Sequence, residues 1–109
     1  MLEGLVGNAT VEKALLYLEQ FEQGYPSEIA RAFGLPVAMV QRQLDRLERG
    51  GIVVSRLRGR TRLFEWNPAF PFRDELRALL RKAVRALPAA ERKRFLTERR
   101  RPRRAGKPM

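Results

Sequence analysis

Neither cysteine nor histidine occurs among the 109 residues of this chain, and the two absences together exclude most metal-centred and covalent chemistry. Disulfides cannot form, and a zinc, copper or iron site would have to be built from carboxylates alone. The usual nucleophile and base pairings lack their members as well, so the composition argues against an enzyme and against a bound cofactor or metal. Long apolar runs are also missing. Nothing approaches the ~20 residues that cross a bilayer, and residues 1–8 are too short and too uncharged a stretch for a signal peptide. The chain reads as cytoplasmic, with no membrane attachment. Acidic residues are scarce too: 12 Asp or Glu face 23 Lys or Arg, for a formal net charge of +11. A surplus of that size calls for a polyanionic partner.

The charge is unevenly spread. Residues 91–109 hold nine Lys or Arg against Glu91 and Glu98, so seven of the eleven surplus charges sit in this short stretch. Its Pro102, Gly106 and Pro108 break any regular element. It reads as a basic tail, disordered without a ligand. Residues 1–90 have the length of one small domain with a single core, and show no internal repeat.

Within that domain, Val11, Ala14, Leu15, Leu18 and Phe21 recur at helical spacing, which predicts a helix over residues 10–21 capped by Thr10 and stopped at Gln23 and Gly24. A shorter helix is predicted from Ser27, as its cap, through Phe33. Gly34 ends it, and Pro36 opens the next, over residues 37–49, whose inward stripe is Val40, Leu44 and Leu47. Advancing about 100° per residue puts Ala38, Arg42, Asp45, Arg46 and Arg49 outward, with Met39 and Gln41 at the flanks. Gly50 and Gly51 release the chain into two strands, residues 52–57 and 61–66, around a three-residue loop, Arg58-Gly59-Arg60. With Leu57 facing Thr61, Arg56 opposes Arg62 on the face that carries Val54 and Phe64. A last amphipathic helix, about residues 72–87, carries Leu76, Leu79, Leu80, Ala83, Val84 and Leu87. Part of its wide apolar stripe is expected to pack on the helix at 10–21, and the surplus implies a second copy of the chain packed on Leu76, Leu80, Ala83 and Leu87.

This order defines a mainly α fold with a small β-hairpin: a winged helix-turn-helix with an added C-terminal amphipathic helix. The run Glu28-Ile29-Ala30-Arg31 to Gly34-Leu35, then Val40 to Leu44, Leu47-Glu48 and Gly51-Ile52-Val53, resembles the ArsR-like winged-helix transcriptional regulators. Gly59 to Arg62, Asn67-Pro68 and Pro71-Phe72 are similar to a metal-independent branch of that group. The resemblance covers about residues 9–87. It implies a homodimer that binds double-stranded DNA, with the helix at 37–49 in the major groove and the hairpin on the neighbouring backbone or minor groove.

The residues nominated for DNA contact fall in three groups. On the groove helix they are Ala38, Met39, Gln41, Arg42 and Arg46: arginine suits guanine, glutamine suits adenine, and small or apolar side chains suit a thymine methyl. On the hairpin they are Arg56, Arg58, Arg60 and Arg62, four cations within seven residues. In the tail they are Arg99, Arg100, Arg101, Arg103, Arg104 and Lys107, which suit phosphates irrespective of sequence. The expected function is a sequence-specific regulator, most simply a repressor that occupies its operator. Two alternatives share the composition: a winged helix that docks on a protein partner, and a nucleic-acid or nucleoid binder without sequence choice.

Overall fold

The computed structural model describes residues 2–92. The elements follow in the order α1 (Glu3–Val6), α2 (Ala9–Phe21), β1 (Gln23–Gly24), α3 (Pro26–Phe33), α4 (Val37–Arg49), β2 (Val53–Arg58), β3 (Thr61–Trp66) and α5 (Arg73–Ala86). The strands form one antiparallel sheet in the order β1-β3-β2. This is a winged helix: the α3–α4 pair beside a small sheet whose β2–β3 hairpin is the wing.

The core is organised around α2. Val11, Ala14, Leu15, Leu16, Tyr17 and Leu18 are all buried, more than the single stripe that helical spacing alone picks out. Ile29 and Ala30 of α3, Val40, Leu44 and Leu47 of α4, and Val53, Phe64 and Trp66 of the sheet close on it with Leu80, Ala83 and Val84 of α5. Each large apolar side chain so enclosed contributes roughly 1.5–3 kcal/mol. Trp66 Nε1 donates to the Leu18 carbonyl at 3.1 Å, so its one polar atom is satisfied inside the core.

Helix α5 is fastened to α2 by charge as well as by packing. Arg77 Nε donates to Glu19 at 2.6 Å and its Nη2 donates to Glu22 at 2.6 Å, while Arg81 Nη1 reaches the other Glu19 oxygen at 3.2 Å. The Arg77 guanidinium also lies 5.4 Å from the centre of the Trp66 ring. Its hydrogen bond to Glu22, reinforced by Glu19 and opposed by burial, holds Arg77 above the ordinary arginine range, so it stays cationic throughout the working pH range. Glu22 occupies this position at a backbone cost, since its φ of 72° is the only positive one at a non-glycine residue among those described.

The helix starts differ from the sequence reading. Asn8, not Thr10, caps α2: Asn8 Oδ1 accepts from the Val11 amide at 2.8 Å, and the helix begins one residue earlier. Both residues are good caps, and asparagine outranks threonine at this position. Ser27 does not cap α3, which begins at Pro26, where the missing N–H and the fixed φ of proline suit the first helical position. Glu28 instead reaches back to accept from the Tyr25 amide at 3.0 Å.

The hairpin register is shifted by one residue from the expected pairing. Arg58, not Leu57, faces Thr61, and the loop is the two-residue Gly59-Arg60 with Gly59 at φ 66°. A positive φ at the first residue of a two-residue loop matches the strand twist and favours glycine there. Val53 therefore faces Trp66, Ser55 faces Phe64 and Leu57 faces Arg62, whereas Arg56 faces Leu63 on the other side of the sheet. The expected Arg56–Arg62 pair does not exist.

Gly24 in β1 faces Phe64 and passes directly beneath Tyr17. A β-carbon there would stand 2.7 Å from Tyr17 Cε1, and the Tyr17 ring, at 2% exposure, has nowhere to retreat. Gly24→Ala is therefore expected to destabilise the fold by about 1–3 kcal/mol. Urea unfolding followed by Trp66 fluorescence measures this, and an unchanged midpoint would refute the close approach.

Candidate nucleic-acid interface

The turn between α3 and α4 follows from its sequence. Gly34 adopts the left-handed conformation at φ 65° and ψ 40°. The Leu35 amide bonds the Ala30 carbonyl at 2.9 Å and the Gly34 amide reaches Arg31 at 3.4 Å, the paired bonds that close a helix end at glycine. Pro36 then sits just before α4, and its carbonyl accepts from the Met39 and Val40 amides at 3.2 and 3.3 Å. With Val40 and Leu44 fully buried and Leu47 nearly so, the opposite face of α4 must look outward. Ala38, Arg42, Arg46 and Arg49 are exposed, Met39 is 37% exposed, and Gln41 and Asp45 are half-buried.

Polar contacts hold α4 from both sides. Toward α2, Thr10 Oγ1 donates to Met39 Sδ at 3.2 Å, and Asn8 Nδ2 donates to Gln43 Oε1 at 3.4 Å. Met39 thus leans on α2. The Arg46 guanidinium lies alongside Gly7, 3.9 Å from where a β-carbon would stand. Toward the wing, Glu48 accepts from the Ser55 amide at 2.9 Å and from its hydroxyl at 2.9 and 3.0 Å. The same hydroxyl accepts from Arg62 Nη1 at 3.2 Å. A chain of three side chains thereby joins the far end of α4 to the hairpin.

The four wing arginines are all exposed, but they are not equivalent. Arg56 stands 3.8 Å from Glu65, and Arg62 is drawn to Ser55. Arg58 and Arg60, at the end of the hairpin, have no side-chain partner among the described residues. Leu57, facing Arg62, is 62% exposed. The tail candidates Arg99, Arg100, Arg101, Arg103, Arg104 and Lys107 lie outside the described residues.

Two of the four residues named for subunit contact, Leu80 and Ala83, need correction. Leu80 and Ala83 belong to the chain's own core, Leu76 packs against it, and Leu87 is half-buried. More of the stripe than expected is needed to cover α2. What α5 and its lead-in expose instead is Phe72, at 64%, and Leu79, at 37%.

The sequence reading missed Glu48, Ser55, Asn8 and Thr10 as supports of the interface. A glutamate in the last turn before a glycine pair and a serine in the following strand were the visible signal for the first two. Among the described residues, no group of three or more Asp or Glu side chains is placed to hold a metal ion, and no helix is long and apolar enough to cross a membrane.

No protein-family model matches the chain, and no curated protein matches it. Solved structures do. The adhesin competence repressor AdcR from Streptococcus pyogenes superposes with a TM-score of 0.52 at 15% identity, over 88% of this chain and 82% of that one. ZitR from Lactococcus lactis, as a doubly substituted variant in its apo form, gives 0.53 at 18% identity, over 82% and 78%. A second structure of that variant gives 0.51 at 18% identity, over 89% and 76%. At such identities the likeness establishes the winged-helix fold.

The Glu48 bridge yields a direct test. Glu48→Ala leaves the Ser55 amide and hydroxyl without their acceptor, so stability should fall by about 1–3 kcal/mol. Hydrogen exchange at the Ser55 amide should quicken well beyond that of Phe64 in the neighbouring strand. Equal protection in variant and parent would show that the bridge does not hold the wing.

Proposed function

We propose that the protein is a sequence-specific, double-stranded DNA-binding transcriptional regulator of the cytoplasm, acting as a homodimeric repressor by occupying its operator. One observation carries this reading. The polar face of α4 is left outward, and the wing bridged to it by Glu48 and Ser55 ends in Arg58 and Arg60, two cations whose side chains have no internal partner among the described residues. A major groove about 12 Å wide admits one helix, and unpaired arginines beside it suit phosphates or a narrow minor groove. The motifs quoted above support the ArsR-like branch, and the fold shared with AdcR, named as a repressor, supports a winged-helix regulator more broadly.

The exposed flank of Phe72 and Leu79 is the apolar surface through which two copies would meet. Dimer symmetry then places two half-sites about one helical turn apart. The six tail cations would add affinity without sequence choice by releasing counterions.

Reversing charge at the wing tip separates DNA binding from folding, because neither side chain has an internal partner to lose. Arg58→Glu with Arg60→Glu should leave the circular dichroism spectrum and unfolding midpoint unchanged. Duplex affinity should fall at least tenfold, and the slope of log K against log salt should become shallower by about two. Fluorescence anisotropy with a labelled duplex at several salt concentrations measures both, and undiminished binding would overturn the role given to the wing.

Subunit association has its own test. Sedimentation of the wild type should give a dimer at micromolar concentration, and Phe72→Asp with Leu79→Asp should give a folded monomer. A monomeric wild type would remove the homodimer from the proposal.

A further inference from the structure

The outward face of α4 carries a single acid among its arginines. Asp45 lies one turn beyond Gln41, and Gln41 Nε2 donates to Asp45 Oδ1 at 2.9 Å. A carboxylate only accepts, so this contact commits one of the two amide hydrogens of Gln41 to Asp45. Gln41 Oε1 and Asp45 Oδ2 have no protein donor among the described residues. The pair therefore presents acceptors and no spare donor beyond the second amide hydrogen.

Resting on the DNA-binding reading above, we infer that Gln41 and Asp45 together select cytosine, and hence a G·C pair, at one position of each half-site. In the major groove cytosine shows only its N4 amino donor, which an acceptor pair complements. Adenine sets its N6 donor beside the N7 acceptor, which faces the Asp45 carboxylate unfavourably, whereas cytosine sets no acceptor there. Guanine and thymine turn acceptor oxygens toward the helix and repel the carboxylate, as does a phosphate. The carboxylate beside Gln41 thus biases this position from adenine toward cytosine. Arg42, exposed on the same face, supplies the donors that guanine O6 and N7 require.

The test is selection of bound sequences from a random duplex pool, run in parallel on the wild type and Asp45→Asn. An asparagine at 45 can donate, which frees the Gln41 amide to turn. Wild type should recover a site with one cytosine favoured about tenfold or more over other bases, and Asp45→Asn should lose that preference while keeping the rest of the site. Unchanged Trp66 fluorescence in the variant reports an intact core. Identical sites for both proteins, or a wild-type site with no such cytosine, would overturn the inference and leave DNA binding standing. A wild type that binds duplexes without preference overturns it likewise. Failure of the wild type to bind any duplex overturns the DNA-binding reading itself, and the inference with it.

Discussion

Enclosure of α2 is the constraint on which the rest of the structure depends. Six apolar residues among Val11 to Leu18 must be kept dry, and no single neighbour can do it. α4 covers one side, α5 another, and the sheet closes over Tyr17 and Leu18 through Phe64 and Trp66. Once Val40, Leu44 and Leu47 are spent on this task, the direction of the remaining α4 side chains is no longer free. The candidate interface is the complement of the core.

Two polar devices convert that packing into a defined geometry. Arg77, shared between Glu19 and Glu22 and set against Trp66, fixes α5 to the far end of α2. Glu48 does the corresponding work between α4 and β2, where packing thins out and the hairpin leaves the body. Partly buried charge-assisted bonds of this kind resist sliding in a way that apolar contact alone does not.

Much of this was legible in the chain itself. The limits of α4 coincide with the sequence reading, because glycine and proline punctuate both of its ends. The hairpin strands were visible, but their register was not. Ile52, Val53 and Val54 are all suited to a buried strand, so the alternating pattern fits either pairing, and only the loop length and the seat of Trp66 decide. The stripe on α5 misled for a related reason. A leucine facing its own core and one facing a second subunit obey the same spacing, and Leu80 could be assigned only once α2 was seen to need a cover. The caps failed by a residue or two, since Asn8 and Thr10 have nearly equal aptitude. The Glu48–Ser55 link joins separate elements, and a sequence carries no periodic signal for it.

The separation of duties within the wing has an evolutionary corollary. Arg56 and Arg62 are engaged with the body of the protein, whereas the two arginines at the extremity answer to nothing inside it. Replacements there leave the folded state unburdened, so under the proposed DNA-binding role drift can explore new targets at that tip while thermodynamic robustness is maintained elsewhere. Affinity and durability become separately adjustable traits, written into different letters of one hairpin.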